Sequence, residues 1–121
     1  MINILIVSSD PLRASAISMA LQGQNLDIHH LGSRECLVEY CRINDVQLII
    51  FLSLSPYFAS MNVVEQLSRQ LVQLPKIYVV AHSQSSSTIL ALLECGVDQY
   101  MTFPLNLYRL RSKVYSLFNV N

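Results

Sequence analysis

Five times along this chain a short apolar run gives way to a segment in which apolar residues return at steps of three and four. The runs are INILIV (2–7), LDIHHL (26–31), VQLIIFL (46–52), KIYVVA (76–81) and DQYMTF (98–103). Runs of that length predict strands, and the spacing between them predicts helices. Ile17, Ala20 and Leu21 mark the first helix, and Leu37, Tyr40 and Cys41 the second. Val64, Leu67 and Leu71 mark the third; Ile89, Leu92 and Leu93 the fourth; Leu107, Leu110, Val114 and Leu117 the last. Ser33 is expected to cap the second helix, and Gly96 to end the fourth. The first and third runs are apolar on both faces, as parallel strands covered by helices must be. Five such units in 121 residues predict a single α/β domain with a doubly wound, five-stranded parallel sheet. Its ligand site belongs at the carboxyl ends of the strands. The longest irregular segment is SLSPYFAS (53–60), and no repeats or low-complexity tracts interrupt the pattern.

Composition narrows the partners. The chain is 52% hydrophobic and 13% charged, against about 25% charged for an average soluble domain. Eight basic and eight acidic residues cancel, so no global field draws it to nucleic acid or an anionic membrane, and no direct nucleic-acid contact is expected. The uninterrupted run LIIFL (48–52) is far shorter than the roughly 20 residues a membrane span takes, so no membrane insertion is expected. The opening MINILIV lacks the basic region of a secretory leader. Cys36, Cys41 and Cys95 are odd in number and lack metal-ligand spacing. They read as reduced thiols of a cytoplasmic protein, packed mainly on helix core faces. So little charge predicts an apolar patch that a partner or second domain covers.

The expected rim collects Ser8, Ser9, the region 51–55, residues 81–83 and Phe103-Pro104. A strand that ends in acids and turns into a helix is a common metal and phosphate site, yet VSSDPL (7–12) keeps only Asp10. Asp10 precedes Pro11, the pattern of an N-cap followed by proline at the first helical position. No glycine-rich phosphate loop and no nucleophile–base pair is visible, which argues against an enzyme. His29 and His30 face opposite sides of a strand and read as packing and surface. His82 sits at the rim, placed to meet an anion or a partner's carboxylate. Arg109, Arg111 and Lys113 put three positive charges on the last helix, as a solvated face or, with Asp98, a partner contact.

NILIVSSDPLRASAISMAL resembles the first strand and helix of the CheY-like receiver domain of bacterial two-component response regulators. GVDQYMTFPLNLYRLRSKVYSLF resembles the end of that domain, with Gly96, Tyr100 and Pro104 in register. The resemblance spans the chain and implies the flavodoxin-like (βα)5 fold, strand order 2-1-3-4-5. It also implies where chemistry would sit, and each position has lost its residue. The metal-binding acids fall on Ser8 and Ser9, and neutral hydroxyls lack the charge a hard cation prefers. The phosphoryl-accepting Asp falls on Phe51, or on Ile50 under another count of the loop; neither is a nucleophile. The hydroxyl of strand four falls on Ala81, and the lysine before the proline on Phe103. The resemblance further implies a cis bond before Pro104, and gives Tyr100 the place of the aromatic switch. With Ala81 in place of the hydroxyl, Tyr100 is expected to keep one rotamer.

Loss of all five implies a phosphorylation-independent pseudo-receiver, with no metal or other cofactor, whose rim collapses onto Phe51, Ala81 and Phe103. Its expected role is docking a protein partner or a second copy through the fourth helix, fifth strand and fifth helix. Asp98, Tyr100, Arg109 and Lys113 are the contact candidates. The chain stops just after its last helix, so an attached output domain is expected. The alternative is a pseudo-receiver that senses a small hydrophobic ligand at the collapsed rim.

Overall fold

Each apolar run forms a strand and each intervening segment a helix: β1 (Ile2–Val7), α1 (Pro11–Leu21), β2 (Leu26–Leu31), α2 (Leu37–Asn44), β3 (Leu48–Phe51), α3 (Asn62–Gln70), β4 (Lys76–Ala81), α4 (Ser86–Cys95), β5 (Gln99–Thr102) and α5 (Leu107–Leu117). The computed structural model describes residues 1–23, 25–32, 36–53 and 62–119, apart from the side chain of Asn62. The expected cap Ser33 and nearly all of the segment 53–60 lie outside the described residues. The position before α2 is held by Cys36, whose side chain makes no capping bond.

The strands pair in parallel in the order β2-β1-β3-β4-β5. Chain direction across the sheet reverses at β1, which lies between β2 and β3. This is the flavodoxin-like order expected from the sequence. Side chains alternate between the two faces, since successive residues of a strand point opposite ways. Leu5, Val7, Ile49, Phe51, Ile77, Val79 and Ala81 meet α2, α3 and α4 on one face. Ile4, Ile6, Leu48, Ile50, Tyr78 and Val80 meet α1 and α5 on the other. The central strands are therefore buried along nearly their whole length, whereas the edge strands β2 and β5 are largely half-exposed.

Two helix ends show how local sequence sets the frame. Asp10 Oδ1 accepts from the N–H groups of Leu12 at 3.0 Å and Arg13 at 3.4 Å, with Pro11 opening α1. At the end of α4, Gly96 has φ +121°, and a Cβ there would lie 2.8 Å from Val64 Cγ1. Backbone conformation and close packing both demand glycine at that point.

Helix α4 departs from the expected pattern. Only Leu92 is fully buried, while Leu93, expected on the core face, is 43% exposed and Leu90 is 56% exposed. The helix covers the margin of the sheet beside β5, where one line of contact suffices, so its other apolar residues stay outside. Leu107 at the start of α5 is likewise exposed, whereas Leu110 and Val114 are buried. Cys36 is also exposed, and only Cys41 is fully buried.

Candidate functional site

The carboxyl ends of β1, β3 and β4 bring Ser8, Phe51 and Ala81 to one rim, as expected. Ser8 is 4% exposed, and its hydroxyl closes the turn into α1. Ser8 Oγ accepts from Asp10 N–H at 2.9 Å and lies 3.2 Å from the Asp10 carbonyl as a donor. His30 reaches the same turn, its Nε2 2.9 Å from the Ser8 carbonyl; because a carbonyl only accepts, the imidazole donates. Ser9 is exposed. Among the described residues, no group of three or more His, Cys, Asp or Glu side chains is placed to hold a metal ion.

Phe51 is the last residue of β3, registered between Val7 of β1 and Val79 of β4, and it has no exposed surface. Its ring belongs to the layer with Val7, Val79 and Ala81, and Ala81 is 4% exposed. Ile50, the other candidate for the acceptor position, faces the opposite layer beneath α1 and α5. The strand-end residue is Phe51.

Phe103 does not join that cluster, contrary to the expected joint collapse. Its bond to Pro104 is cis, as the resemblance implied. The half-buried ring packs against the α1–α5 layer, with the Arg13 guanidinium 4.4 Å from its centroid and the His82 ring 5.7 Å away. A cation over an aromatic face is held by the ring quadrupole. The rim thus keeps a cation, but it comes from α1 and rests on an apolar ring. Arg13 also lies 3.7 Å from Asp10, which balances its charge. Sequence reasoning missed Arg13, since ninety residues separate it from Phe103 and no local signal joins them.

The expected contact residues divide by what already holds them. Asp98 N–H donates to the Ile77 carbonyl and Asp98 Oδ2 accepts from Ile77 N–H, both at 2.8 Å. One oxygen of that carboxylate thus ties the start of β4 to the residue before β5, while Asp98 itself stays exposed. Arg111, read as part of a charged face, instead donates to the carbonyls of Ala20 at 2.7 Å and Gln22 at 3.0 Å and stacks on Tyr115. It secures α5 to the end of α1. Tyr100 is half-buried, and its hydroxyl donates to the carbonyl of His82, one residue past Ala81. Burial pushes its phenol above the ordinary tyrosine range, so it stays a donor at neutral pH. Lys113 Nζ makes a long contact of 3.5 Å with Gln99 Oε1, and Arg109 is exposed on the same helix.

Order of strands, helix placement and rim geometry together define the α/β fold of the CheY-like receiver domain. Solved structures of that class superpose on nearly the whole chain. A response regulator from Thermotoga maritima matches with TM-score 0.85 and 14% identity over 98% of each chain. One from Desulfuromonas acetoxidans gives 0.82 and 19%, again over 98% of each. A Burkholderia thailandensis chain described as a pilus assembly protein gives 0.76 and 21%, over 98% of this chain and 99% of that one. No protein-family model and no curated protein matches the sequence. Among the described residues, no helix is long and apolar enough to cross a membrane.

Proposed function

We propose that the domain is a pseudo-receiver, a signalling module that works through protein contacts and takes no phosphoryl group. The observation that carries this reading is Phe51: where the resemblance puts the phosphoryl acceptor, an aromatic ring lies fully buried at the end of β3. Around it, Ala81 offers no hydroxyl, Ser8 uses its hydroxyl on the α1 turn, and Phe103 gives no ammonium. On this reading the domain is not an enzyme and holds no metal. It acts in the bacterial cytoplasm, with an output domain attached, and Tyr100 keeps one position rather than switching.

Docking through α4, β5 and α5 is supported by the apolar surface that α4 leaves outside at Leu90 and Leu93, with Arg109 and Lys113 beside it. Interfaces commonly combine such an apolar centre with a polar rim. A small hydrophobic ligand at the rim has less support, because Phe51 and Ala81 already occupy the space beneath it. The test is incubation with acetyl phosphate and magnesium, followed by intact-mass measurement and sedimentation. Unchanged mass and unchanged association are expected. A stoichiometric phosphoryl adduct would end the pseudo-receiver reading.

A further inference from the structure

The outer edge of β5 and the flank of α5 enclose a groove of about 270 Å³, lined by the Gln99–Thr102 strand together with Asn106, Arg109 and Lys113. Two properties of its walls point to an occupant. The first is main-chain bonding. In a parallel pair, alternate residues turn their N–H and C=O toward the neighbouring strand. Phe103 N–H donates to the Ala81 carbonyl and Ala81 pairs in register with Thr102, so Gln99 and Met101 face β4, and Tyr100 and Thr102 turn their main-chain groups outward. Since β5 ends the sheet, that edge is open to an added strand.

The second property is charge. Arg109 and Lys113 stand one helical turn apart, and like charges at that spacing repel. Neither joins an ion pair among the described residues, where the pairs are Arg13–Asp10, His29–Asp27 and Arg69–Glu65. Asp98, the acid nearest in sequence, has one oxygen held by Ile77. A symmetric pairing of two copies along this edge would bring the two cation pairs together, so the groove disfavours self-association.

We propose that the groove receives an extended acidic segment of a partner protein, which adds to β5 as a strand and sets a carboxylate between Arg109 and Lys113. The inference rests on the docking reading above and names the chemistry of the partner. Fluorescein-labelled Asp-Val-Glu-Val-Asp-Val is the probe, followed by anisotropy and by amide shifts of the domain. Binding should weaken with added salt and drop about ten-fold or more in Arg109→Glu or Lys113→Glu, as loss of a charge-assisted bond does. Lys76→Glu, the same charge change at an exposed site on β4, should leave affinity intact. A probe N-methylated at alternate residues keeps its charge but loses the strand bonds, and should fail to bind. The Tyr100 and Thr102 amides should shift.

Equal binding by the N-methylated probe or by Lys-Val-Lys-Val-Lys-Val, equal loss in Lys76→Glu, or no binding at all would each overturn the proposal. Should the domain self-associate through Leu90 and Leu93 while ignoring the probe, the docking reading stands and only the strand addition falls. If the probe binds as described but acetyl phosphate modifies the domain, the groove stands and the pseudo-receiver reading falls.

Discussion

At the scale of single residues, the informative positions are those where one side chain answers a question about chemistry. Asp10 was the only acid left at the end of β1, and the structure gives it a helix to cap through Leu12 and Arg13. Asp10→Ala should therefore lower stability by about 1 kcal/mol, the usual cost of losing an N-cap, with partner binding unchanged. Chemical denaturation checks the first half, and loss of binding at full stability would restore a functional role to the acid. Phe51 allows a sharper test. Phe51→Asp reinstates the acceptor carboxylate, but in a fully buried layer with Val7, Val79 and Ala81. A buried charge and a vacated aromatic volume should together cost about 3 kcal/mol or more. The variant should remain inert to acetyl phosphate. A stable Phe51→Asp protein that takes a phosphoryl group would show that the rim retains more of its chemistry than its packing implies.

At the scale of elements, α2 carries two cysteine environments within a few residues. Cys36 lies exposed before the helix and Cys41 is buried on its inner face. Burial pushes the Cys41 thiol from 9.0 up to about 11. A thiol that ionises later in the folded state than in the unfolded one stabilises the fold fully below the unfolded value. That contribution disappears as pH rises from about 9 to about 11. Stability should decline across this window, and Cys41→Ala should decline less steeply than the parent protein in pH-dependent denaturation. Tyr40, Tyr78 and Tyr100 are also raised, chiefly by burial, and titrate nearby, which makes the comparison between variants the informative quantity. At neutral pH a thiol reagent should label Cys36 well before Cys41.

At the scale of the whole molecule, the two layers of the sheet are finished to different degrees. The central strands are sealed by helices on both faces, but α4 contributes only Leu92 fully to the core and leaves Leu90 and Leu93 half in water. Leu90→Lys with Leu93→Lys should leave the fold intact, because neither side chain is part of the buried clusters. The pair should weaken association, whether with a second copy or with a partner, when followed by analytical ultracentrifugation. Unaltered association would move the interface away from α4.

The alternation of apolar runs with three-and-four spacing determined the ten elements of the described residues and their order, since burial on two sheet faces requires that periodicity whatever the neighbours are. It also determined the cap at Asp10 and the stop at Gly96, because both act within one turn of chain. Resemblance supplied the strand order and the positions Ser8, Phe51, Ala81 and Phe103, and the order was borne out. Only the tertiary structure decided which layer each of those residues enters. Phe51 and Ala81 go beneath α2 to α4, while Phe103 turns to the α1–α5 side under Arg13. Likewise, nothing local distinguishes Arg109 from Arg111, yet the fold ties Arg111 to the carbonyls of Ala20 and Gln22 and leaves Arg109 facing the groove. Such assignments depend on contacts between segments remote in sequence, and those contacts exist only once the sheet has brought the segments together.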